Sequence, residues 1–421
     1  MKMKWNLKSL AALLAAASLV SPAFGNEGAV PKGVPRLDHV FVIMMENHGY
    51  GQIIGNPNAP FANKLAKSAN VATNYFAIGH PSSTNYLETV GGSNFGVRSD
   101  NGPDWHNTNC LTNLSTGQPN LDGPTNSGAV CPIWGTGTDA ETPATDCTNE
   151  ITCTTKAPTP INNIDGVLSV PAKTGIDGKT IADQLREDRK TWKSYQESLP
   201  PTGADGVDYA DGYFTDKSNI TAAIPGESQS LVKLYAAKHN PFVYFRSVQE
   251  GGLQNVAPFA GEHGLFNDLA TGDVPTYSFI APNQCNDQHG RGNAGPQCDF
   301  DPNNDGTQNG LNPALISTGD QALSTIVLAI KNSPVWKEGH TAIVVLWDED
   351  DYSVSPTVNH VLTIVDTNYG KHGVKSNTFY THFSLLKSIE SGLRLPCLNH
   401  ACDSNTAVMS DLFASDNERD N

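Results

Sequence analysis

The stretch HVFVIMMENHGY, residues 39–50, changes from an apolar run to a carboxylate, an amide and an imidazole within three positions. Residues 39–45 lack the alternation of a half-exposed strand and predict a strand buried on both faces, as in a parallel sheet. Ligands bind such sheets beyond the carboxyl ends of the strands. Glu46 and Asn47 are therefore candidate binding residues, and a structural role is favoured over a catalytic one for His48.

Further short apolar runs alternate with helix-like segments along the chain, which predicts an α/β fold with a mostly parallel central sheet and helices on both faces. The 421 residues are enough for one large domain, predicted over 26–421. The segment from about 100 to 172 is rich in Thr, Asn, Gly, Pro and Cys, which predicts a loop-rich insertion pinned by disulfides. Further strands are predicted at 242–245, 276–281, 341–347 and 361–365, and helices at 60–71, 179–198, 228–238, 313–332 and 381–393.

The first 25 residues have the pattern of a secretory signal peptide. Three lysines precede an apolar run over 10–20, and small residues follow, so cleavage is predicted after Ala23 or Gly25. The run is shorter than the roughly 20 residues that span a bilayer. A secreted or periplasmic protein without a stable membrane anchor is expected.

The eight cysteines of an exported chain predict disulfides. Proximity in the sequence favours the pairs Cys285–Cys298 and Cys397–Cys402. The other four lie in the predicted insertion, and three pairings of them stay open. A zinc site is the weaker alternative, because no Cys-x-x-Cys pair occurs. These four are Cys110, Cys131, Cys147 and Cys153.

The formal charge is −16, from 43 acidic and 27 basic residues, and no run of Lys or Arg occurs. Nucleic acid is therefore not expected as a partner. An anionic substrate would need a local cation to hold it, and a bound metal ion is the obvious device.

Polar side chains also border other predicted strands at the same edge of the sheet. Acidic groups brought together repel one another and need a cation to share them, so we predict a divalent metal site at this edge. The candidates are Asn283 as a substrate-binding residue, Asp287 and His289 as metal ligands after one strand, Asp348 and Glu349 as metal ligands after another, and His360 before a fourth.

The stretch GHPSSTNYLETVGG, residues 79–92, places three hydroxyl side chains at a turn that opens a helix. Backbone N–H groups at a helix N-terminus can hold an anion beside such a hydroxyl. The alternative is that these residues are ordinary helix caps.

Together these stretches resemble the phosphoesterase family of bacterial and fungal acid phosphatases and phospholipases C, which has the alkaline-phosphatase-like fold. The resemblance lies in HVFVIMMENHGY, HPSSTNYLETVGG, KTWKSYQESLP, AKHNPFVYF, YSFIAPNQCNDQH, NSPVWKEGHTAIVVLWDEDD and SNTFYTHFSLLKSIESGLRLP, in this order. It implies that Glu46 and Asn47 bind a divalent metal ion whose site Asp348 and Glu349 complete. It also implies that His360 contacts the phosphate or a second metal.

The family usually shows Ser or Thr, any residue, Pro and Asn at the nucleophile, where this chain has Ser82, Ser83, Thr84 and Asn85. Alignment on Asn85 selects Ser82 as the nucleophile, with Ser83 and Thr84 as alternatives. The implied reaction is a two-step phosphoryl transfer through a covalent phosphoserine.

The same mechanism offers roles to four other side chains. Asn85 or Asn94 would donate an amide N–H to the phosphate, and His360 or His289 would protonate the leaving oxygen. Ordinary structural hydrogen bonding is an equal alternative for each.

The stretch DFDPNNDG, residues 299–306, resembles the first half of a calcium loop, with oxygen ligands at Asp301, Asn303 and Asp305 before a glycine. Asn312 stands where a bidentate Glu is expected. A solvated Asp/Asn turn is therefore favoured over a structural calcium site.

Three functions are compatible with these patterns. A secreted, metal-dependent phosphatase acting on small phosphate monoesters is favoured, because no long apolar loop suggests docking to lipid. A phospholipase C acting on phospholipid headgroups is the enzymatic alternative, and a non-catalytic calcium-binding surface protein is the third. The metal, the physiological substrate and the oligomeric state stay open.

Overall fold

Strand β1, His39–Met45, lies in the middle of an eight-stranded sheet. The computed structural model describes residues 27–95, 97, 175–199, 234–291, 294–303, 305–350 and 359–413. Every side chain from Val40 to Met45 is fully buried. Successive side chains of a strand point to opposite faces, so both faces of the sheet are covered here.

The strand order is mostly parallel, and the predicted α/β class is confirmed. The ten described strands are β1, β2 (Asn70–Ala72), β3 (Tyr75–Phe76), β4 (Trp192–Gln196), β5 (Val256–Pro258), β6 (Tyr277–Ala281), β7 (Thr341–Trp347), β8 (Thr363–Thr367), β9 (Lys375–Ser376) and β10 (Tyr380–Thr381). In the large sheet the order is β5-β4-β6-β1-β7-β8-β2-β9. The first five strands in this order are mutually parallel, β8 is antiparallel to both of its neighbours, and β3 pairs separately with β10.

The register of the central strands brings their carboxyl ends together. Met45 of β1 lies opposite Trp347 of β7, and β6 runs parallel on the other side of β1. The residues that follow these three strands therefore meet at one edge of the sheet.

Helices connect and cover the strands. The described α-helices are α1 (Tyr50–Ile53), α2 (Pro60–Ser68), α3 (Ser82–Gly91), α4 (Ile181–Glu187), α5 (Arg246–Gln249), α6 (Leu265–Thr271), α7 (Pro313–Asn332) and α8 (His382–Leu393). Short 3₁₀ turns include Ala237–His239 and Pro241–Tyr244. Helix α7 begins at a proline after Asn312, whose side-chain oxygen accepts a hydrogen bond from the backbone N–H of Ala314.

Helix α7 is long and apolar enough to cross a membrane by length and composition, although no stable membrane anchor is expected from the sequence. It packs against α2 and α6, and its buried positions recur at spacings of three and four residues. It is therefore a core helix of the domain. These buried apolar residues are Leu315, Ile316, Leu323, Ile326, Val327 and Ile330.

The strand at 341–347 and the helix at 313–332 are confirmed as predicted, whereas three segments differ. The helix predicted over 228–238 is described only from residue 234, where 234–236 are not helical and Ala237–His239 is a 3₁₀ turn. The strand predicted at 242–245 is wrong: Pro241–Tyr244 is a 3₁₀ turn, which suits a segment that starts with proline. The helix predicted over 179–198 is wrong in its second half, because α4 ends at Glu187 and β4 follows. Between them Arg189 has a φ of 58°, outside the helical region.

Two disulfides are confirmed, Cys285–Cys298 and Cys397–Cys402. The first anchors the segment after β6, and the second closes a turn that follows α8. The predicted signal peptide at 1–25, the four other cysteines and the whole predicted insertion at 100–172 lie outside the described residues.

Glu390 of α8 is a fully buried carboxyl outside the strand-end cluster. Its Oε1 accepts a hydrogen bond of 2.9 Å from the backbone N–H of Leu398. Burial raises its pKa well above the ordinary value. Because the folded pKa lies above the unfolded one, this group contributes stability below the unfolded value of about 4.3 and loses it as the pH rises toward the folded value.

Glu390→Gln keeps the acceptor oxygen and removes the charge, so it should raise the thermal unfolding temperature at pH 8 by about 2–4 °C and leave it unchanged near pH 4. Differential scanning calorimetry across this pH range measures the difference. Glu338→Gln, at an exposed position, is the control and should show no such trend. A variant less stable than the wild type at pH 8 would contradict the prediction.

Candidate active site

The residues that follow β1, β6 and β7 are joined by backbone hydrogen bonds. The N–H of Glu46 donates to the carbonyl of Asp287 at 2.9 Å, and the N–H of Asp348 donates to the carbonyl of Met45 at 2.9 Å. The N–H of Asn47 donates to Asp348 Oδ1 at 3.1 Å. Asn47 has a φ of 53°, which Asn adopts more readily than most residues. Two predicted metal-ligand pairs, distant in sequence, thus lie side by side.

Ser82 is the first residue of α3, and its hydroxyl lies between two of these carboxyls. Oγ is 3.1 Å from Glu46 Oε2 and 2.9 Å from Glu349 Oε1, and its single proton can go to one of them at a time. The two alternatives point elsewhere: Ser83 Oγ lies 3.3 Å from the hydroxyl of Tyr244, and Thr84 Oγ1 donates to a backbone carbonyl at 2.9 Å. Of these three hydroxyls, Ser82 faces the acidic cluster.

Helix α3 fixes the position of this hydroxyl. All ten of its residues are buried, and the helix packs against α8 and both 3₁₀ turns. Gly92 ends it with a φ of 68°, and a Cβ there would come within 2.5 Å of the carbonyl oxygen of Leu398. The glycine therefore permits both the left-handed cap and the close approach of the neighbouring chain.

Three oxygens of the cluster are suited to a cation. Asn47 Oδ1 and Asp348 Oδ2 are buried and accept no hydrogen bond from the residues that the structure describes, and the buried Glu46 Oε1 lies 3.2 Å from His239 Nε2. Unpaired buried acceptors are costly, and a neutral amide oxygen beside two carboxylates is a ligand set that hard divalent cations use. These residues fit a divalent ion.

The electrostatics of the cluster agree with this fit. Burial and the negative charge of Asp348 raise the pKa of Glu46 well above its ordinary value. Burial and the charge of Glu349 do the same to the pKa of Asp348. A bound cation would relieve the repulsion that raises both values.

The contacts of Glu349 differ from those of the other predicted ligands. Oε1 accepts from Ser82, and Oε2 lies 2.7 Å from His80 Nδ1 and 3.3 Å from Asn85 Nδ2. Both oxygens are thus in contact with protein donors, which suits a residue that orients the serine and takes its proton. His80 was not selected from the sequence, although it stands two positions before Ser82 in the quoted stretch.

A second group of candidate ligands lies on the other side of Glu46. Ligand atoms of Glu46, His239 and His289 lie within 4.8 Å of one another. His239 Nε2 is 3.2 Å from Glu46 Oε1, and its Nδ1 is 3.1 Å from Asp287 Oδ2. The ring stacks on Tyr86 with centroids 5.2 Å apart. His239 was not selected from the sequence, although it stands in the quoted stretch AKHNPFVYF.

The charges around His239 are tightly coupled. Burial lowers its pKa well below the ordinary value, and the positive charge of Lys238 adds to this effect. Burial and the charge of Glu46 raise the pKa of Asp287. A neutral imidazole has a single N–H, so it can donate to one of its two flanking carboxyls at a time.

Two of the predicted polar residues have structural contacts. Asn85 Oδ1 accepts from the backbone N–H groups of Ile78 and Gly79, so this residue holds the turn before α3 while its amide contacts Glu349. Asn283 Nδ2 donates to a serine hydroxyl at 3.1 Å, and its Oδ1 accepts from two backbone N–H groups of its own turn.

The structure does not bring Asn94 and His360 to the serine. Asn94 follows the C-terminal end of α3, whereas Ser82 opens this helix, whose ten residues span roughly 15 Å. The His360 ring lies between Tyr50 and Phe76, with centroids 4.8 and 4.9 Å away. Its Nε2 lies 3.1 Å from a backbone carbonyl oxygen, and burial lowers its pKa.

The side chains of Asp301, Asn303 and Asp305 in the segment 299–306 all have protein partners. Asp301 Oδ1 accepts from the N–H of Asn312 at 2.6 Å, and its Oδ2 contacts His48 Nε2 at 3.0 Å. Asp305 Oδ1 accepts from Thr307, and Asn303 Nδ2 donates to Asp305 Oδ2. The oxygens that would bind a calcium ion accept hydrogen bonds from protein groups instead. This favours the Asp/Asn turn over a calcium site.

The chain is similar to a family of known proteins and to two fungal acid phosphatases. A model of the Phosphoesterase family matches residues 56–396. An acid phosphatase of Aspergillus fumigatus is 24% identical over 396 residues, which cover 93% of this chain and 62% of that protein. A phosphate-repressible acid phosphatase of Penicillium chrysogenum is 25% identical over 355 residues, covering 82% and 57%. The chain thus spans less than two thirds of the length of these fungal relatives.

A bacterial relative matches over most of both chains. The phosphatidylinositol-3-phosphatase of Mycobacterium tuberculosis is 24% identical over 396 residues, covering 92% of this chain and 88% of that protein. Among solved structures, a protein of the alkaline phosphatase superfamily from Vibrio parahaemolyticus has a TM-score of 0.40 at 14% identity, covering 92% of this chain and 74% of that one. The phosphonate monoester hydrolase of Agrobacterium radiobacter has a TM-score of 0.41 at 13% identity, covering 91% and 78%.

Proposed function

The chain belongs to the Phosphoesterase family, and on that premise we propose that it is a metal-dependent phosphatase that hydrolyses phosphate monoesters through a phosphoserine on Ser82. One observation carries the proposal. The Ser82 hydroxyl lies at the N-terminus of α3 between Glu46 and Glu349, beside the unpartnered oxygens of Asn47 and Asp348.

The residues that would hold the metal ion are Glu46, Asn47 and Asp348. A divalent ion in this place supplies positive charge that offsets the phosphoryl oxygens and lowers the pKa of a nearby hydroxyl. Glu349 was also predicted to be a metal ligand, but its contacts with Ser82, His80 and Asn85 favour a different role.

Glu349 accepts the proton of the serine in this mechanism. As Ser82 Oγ forms its bond to phosphorus, its proton passes to Glu349 Oε1 at 2.9 Å, and the ester oxygen departs with its electron pair and takes up a proton from solvent. His80 and Asn85 hold the other carboxyl oxygen and so orient the base. In the second step water attacks the phosphoserine and loses a proton to solvent, and Glu349 returns its proton to Ser82 Oγ as inorganic phosphate leaves.

The names of the relatives support a phosphate monoester as substrate, because acid phosphatases and the mycobacterial protein are named for monoester hydrolysis. Export is proposed from the signal-peptide pattern of residues 1–25 and agrees with the two disulfides. A single domain with an insertion at 100–172 remains a proposal from sequence.

The test uses purified full-length protein with p-nitrophenyl phosphate, bis-p-nitrophenyl phosphate and phosphatidylcholine vesicles. We expect turnover of the monoester, loss of turnover with EDTA, and recovery when a divalent ion is added back. Unchanged turnover in EDTA would contradict the metal dependence. Faster release of phosphocholine from the vesicles than of phosphate from the monoester would show a phospholipase C.

A phosphorylated lipid headgroup is a second candidate substrate, favoured by the coverage of both chains in the match to the mycobacterial phosphatidylinositol-3-phosphatase. Vesicles that contain phosphatidylinositol 3-phosphate should then release phosphate faster than the water-soluble headgroup alone. Equal rates for the two would show that the lipid is not recognised.

A further inference from the structure

Lys238 is a buried cation at the edge of the acidic cluster. It lies in the 3₁₀ turn Ala237–His239, and its side chain is 4% exposed. Lysine is rarely this buried unless it has partners. Its Nζ is 3.1 Å from His289 Nε2.

The hydrogen bonds of His289 determine which of its nitrogens donates. Nδ1 lies 2.8 Å from the carbonyl oxygen of Gly290, which can only accept, so Nδ1 carries the proton. In the neutral ring Nε2 then holds a lone pair, and the Lys238 ammonium donates to it. A metal ion bound through this nitrogen would have to displace the ammonium.

The trio of Glu46, His239 and His289 otherwise has the residue types and the spacing of a metal site. The Lys238 ammonium donates a hydrogen bond to the lone pair of His289 Nε2. It therefore lies beside the place that a second metal ion would take. We propose that Lys238 takes the place of a second divalent ion, so that the chain binds one ion, at Glu46, Asn47 and Asp348. This inference rests on the proposed function.

The position of Lys238 suits this substitution. Its positive charge acts on Glu46, Asp287 and Asp348 and favours their ionised forms. It therefore supplies fixed positive charge on the His239 side of Ser82, where the buried oxygens Glu46 Oε1 and Asp287 Oδ2 lie 3.2 and 3.1 Å from the ring nitrogens of His239. Lys238 is thus assigned as a positioning residue that sets the metal count of the site.

The first test counts ions in the wild-type protein. Full-length protein saturated with Mn²⁺, which accepts carboxylate, amide and imidazole ligands, and then desalted should retain one Mn per chain by elemental analysis. Its electron paramagnetic resonance spectrum should be that of an isolated ion. Two spin-coupled ions per chain would overturn this inference and leave the proposed function standing, whereas no bound ion would overturn both.

The second test removes the ammonium. Lys238→Met frees His289 Nε2 and should raise the Mn count from one to two, and Lys238→Met combined with His289→Ala should return it to one. Lys238→Arg keeps the charge and should stay at one, as should the control Lys331→Met, whose ammonium pairs with Asp366. A Lys238→Met protein that folds and still binds one ion would overturn the inference, and if that variant does not fold, the wild-type count decides.

Discussion

Ser82→Ala should lower kcat on p-nitrophenyl phosphate by about three orders of magnitude or more, which corresponds to about 4 kcal/mol on the barrier. The reason is that Oγ both forms the bond to phosphorus and hands its proton to Glu349. The bound metal should remain, because the oxygens assigned to it belong to other residues. Steady-state kinetics and elemental analysis of the same preparation measure both effects.

Ser83→Ala is the matched control, since it removes the same atom one position along α3. Its hydroxyl contacts Tyr244 rather than the acids, so kcat should change less than about tenfold. Acid quenching during turnover of a labelled monoester should leave phosphate on the peptide of residues 79–92 in the wild type and in Ser83→Ala, but not in Ser82→Ala. Labelled phosphate on Thr84 would identify Thr84 as the nucleophile instead of Ser82. Full activity of Ser82→Ala would exclude a serine nucleophile at this position.

The site residues that could be predicted from the sequence are those that directly follow strands. Apolar runs as uniform as β1 and β7 are unambiguous, and the rule that ligands bind beyond parallel strands then selects Glu46 and Asp348 directly. The structure shows these residues in contact through Asn47, as the pattern predicts.

The remaining site residues lie on irregular backbone, which the periodicity of apolar residues in the sequence does not predict. Lys238 and His239 stand in a 3₁₀ turn, where a helix was predicted to end at residue 238 and a strand was wrongly predicted to begin at residue 242. A turn of this kind has no sheet edge to which the strand rule applies. Both residues belong to the family-like stretch AKHNPFVYF, but this motif does not predict where they lie relative to the sheet.

Strand β4 was missed for a related reason. Its residues Ser194 and Gln196 are polar and suggest the solvent side of a helix, yet both are buried. Ser194 donates to the side chain of Asn240, and Gln196 donates to Ser194. Buried polar residues that satisfy one another in this way cannot be told from exposed ones by hydropathy alone.

The cluster at the strand ends leads to the last prediction, which concerns Asp348. Asp348→Asn keeps an oxygen that can accept from the N–H of Asn47 and replaces the unpartnered Oδ2 with an N–H₂ group, which donates and cannot bind a cation. Metal affinity should fall by at least about a hundredfold, and turnover at limiting metal should fall with it. Isothermal titration of the metal-free protein measures the affinity.

The stability of the same variant separates a lost ligand from a damaged fold. Burial and Glu349 raise the folded pKa of Asp348, so its charge costs the metal-free protein stability at pH 8 and not below the unfolded value of about 3.9. Metal-free Asp348→Asn should therefore unfold at the same or a higher temperature than metal-free wild type at pH 8, yet gain less when the ion is added. Asp366→Asn, at a buried carboxyl paired with Lys331, should keep the full gain. A variant that is less stable without metal but gains as much as the wild type would show that Asp348 holds the fold and not the ion.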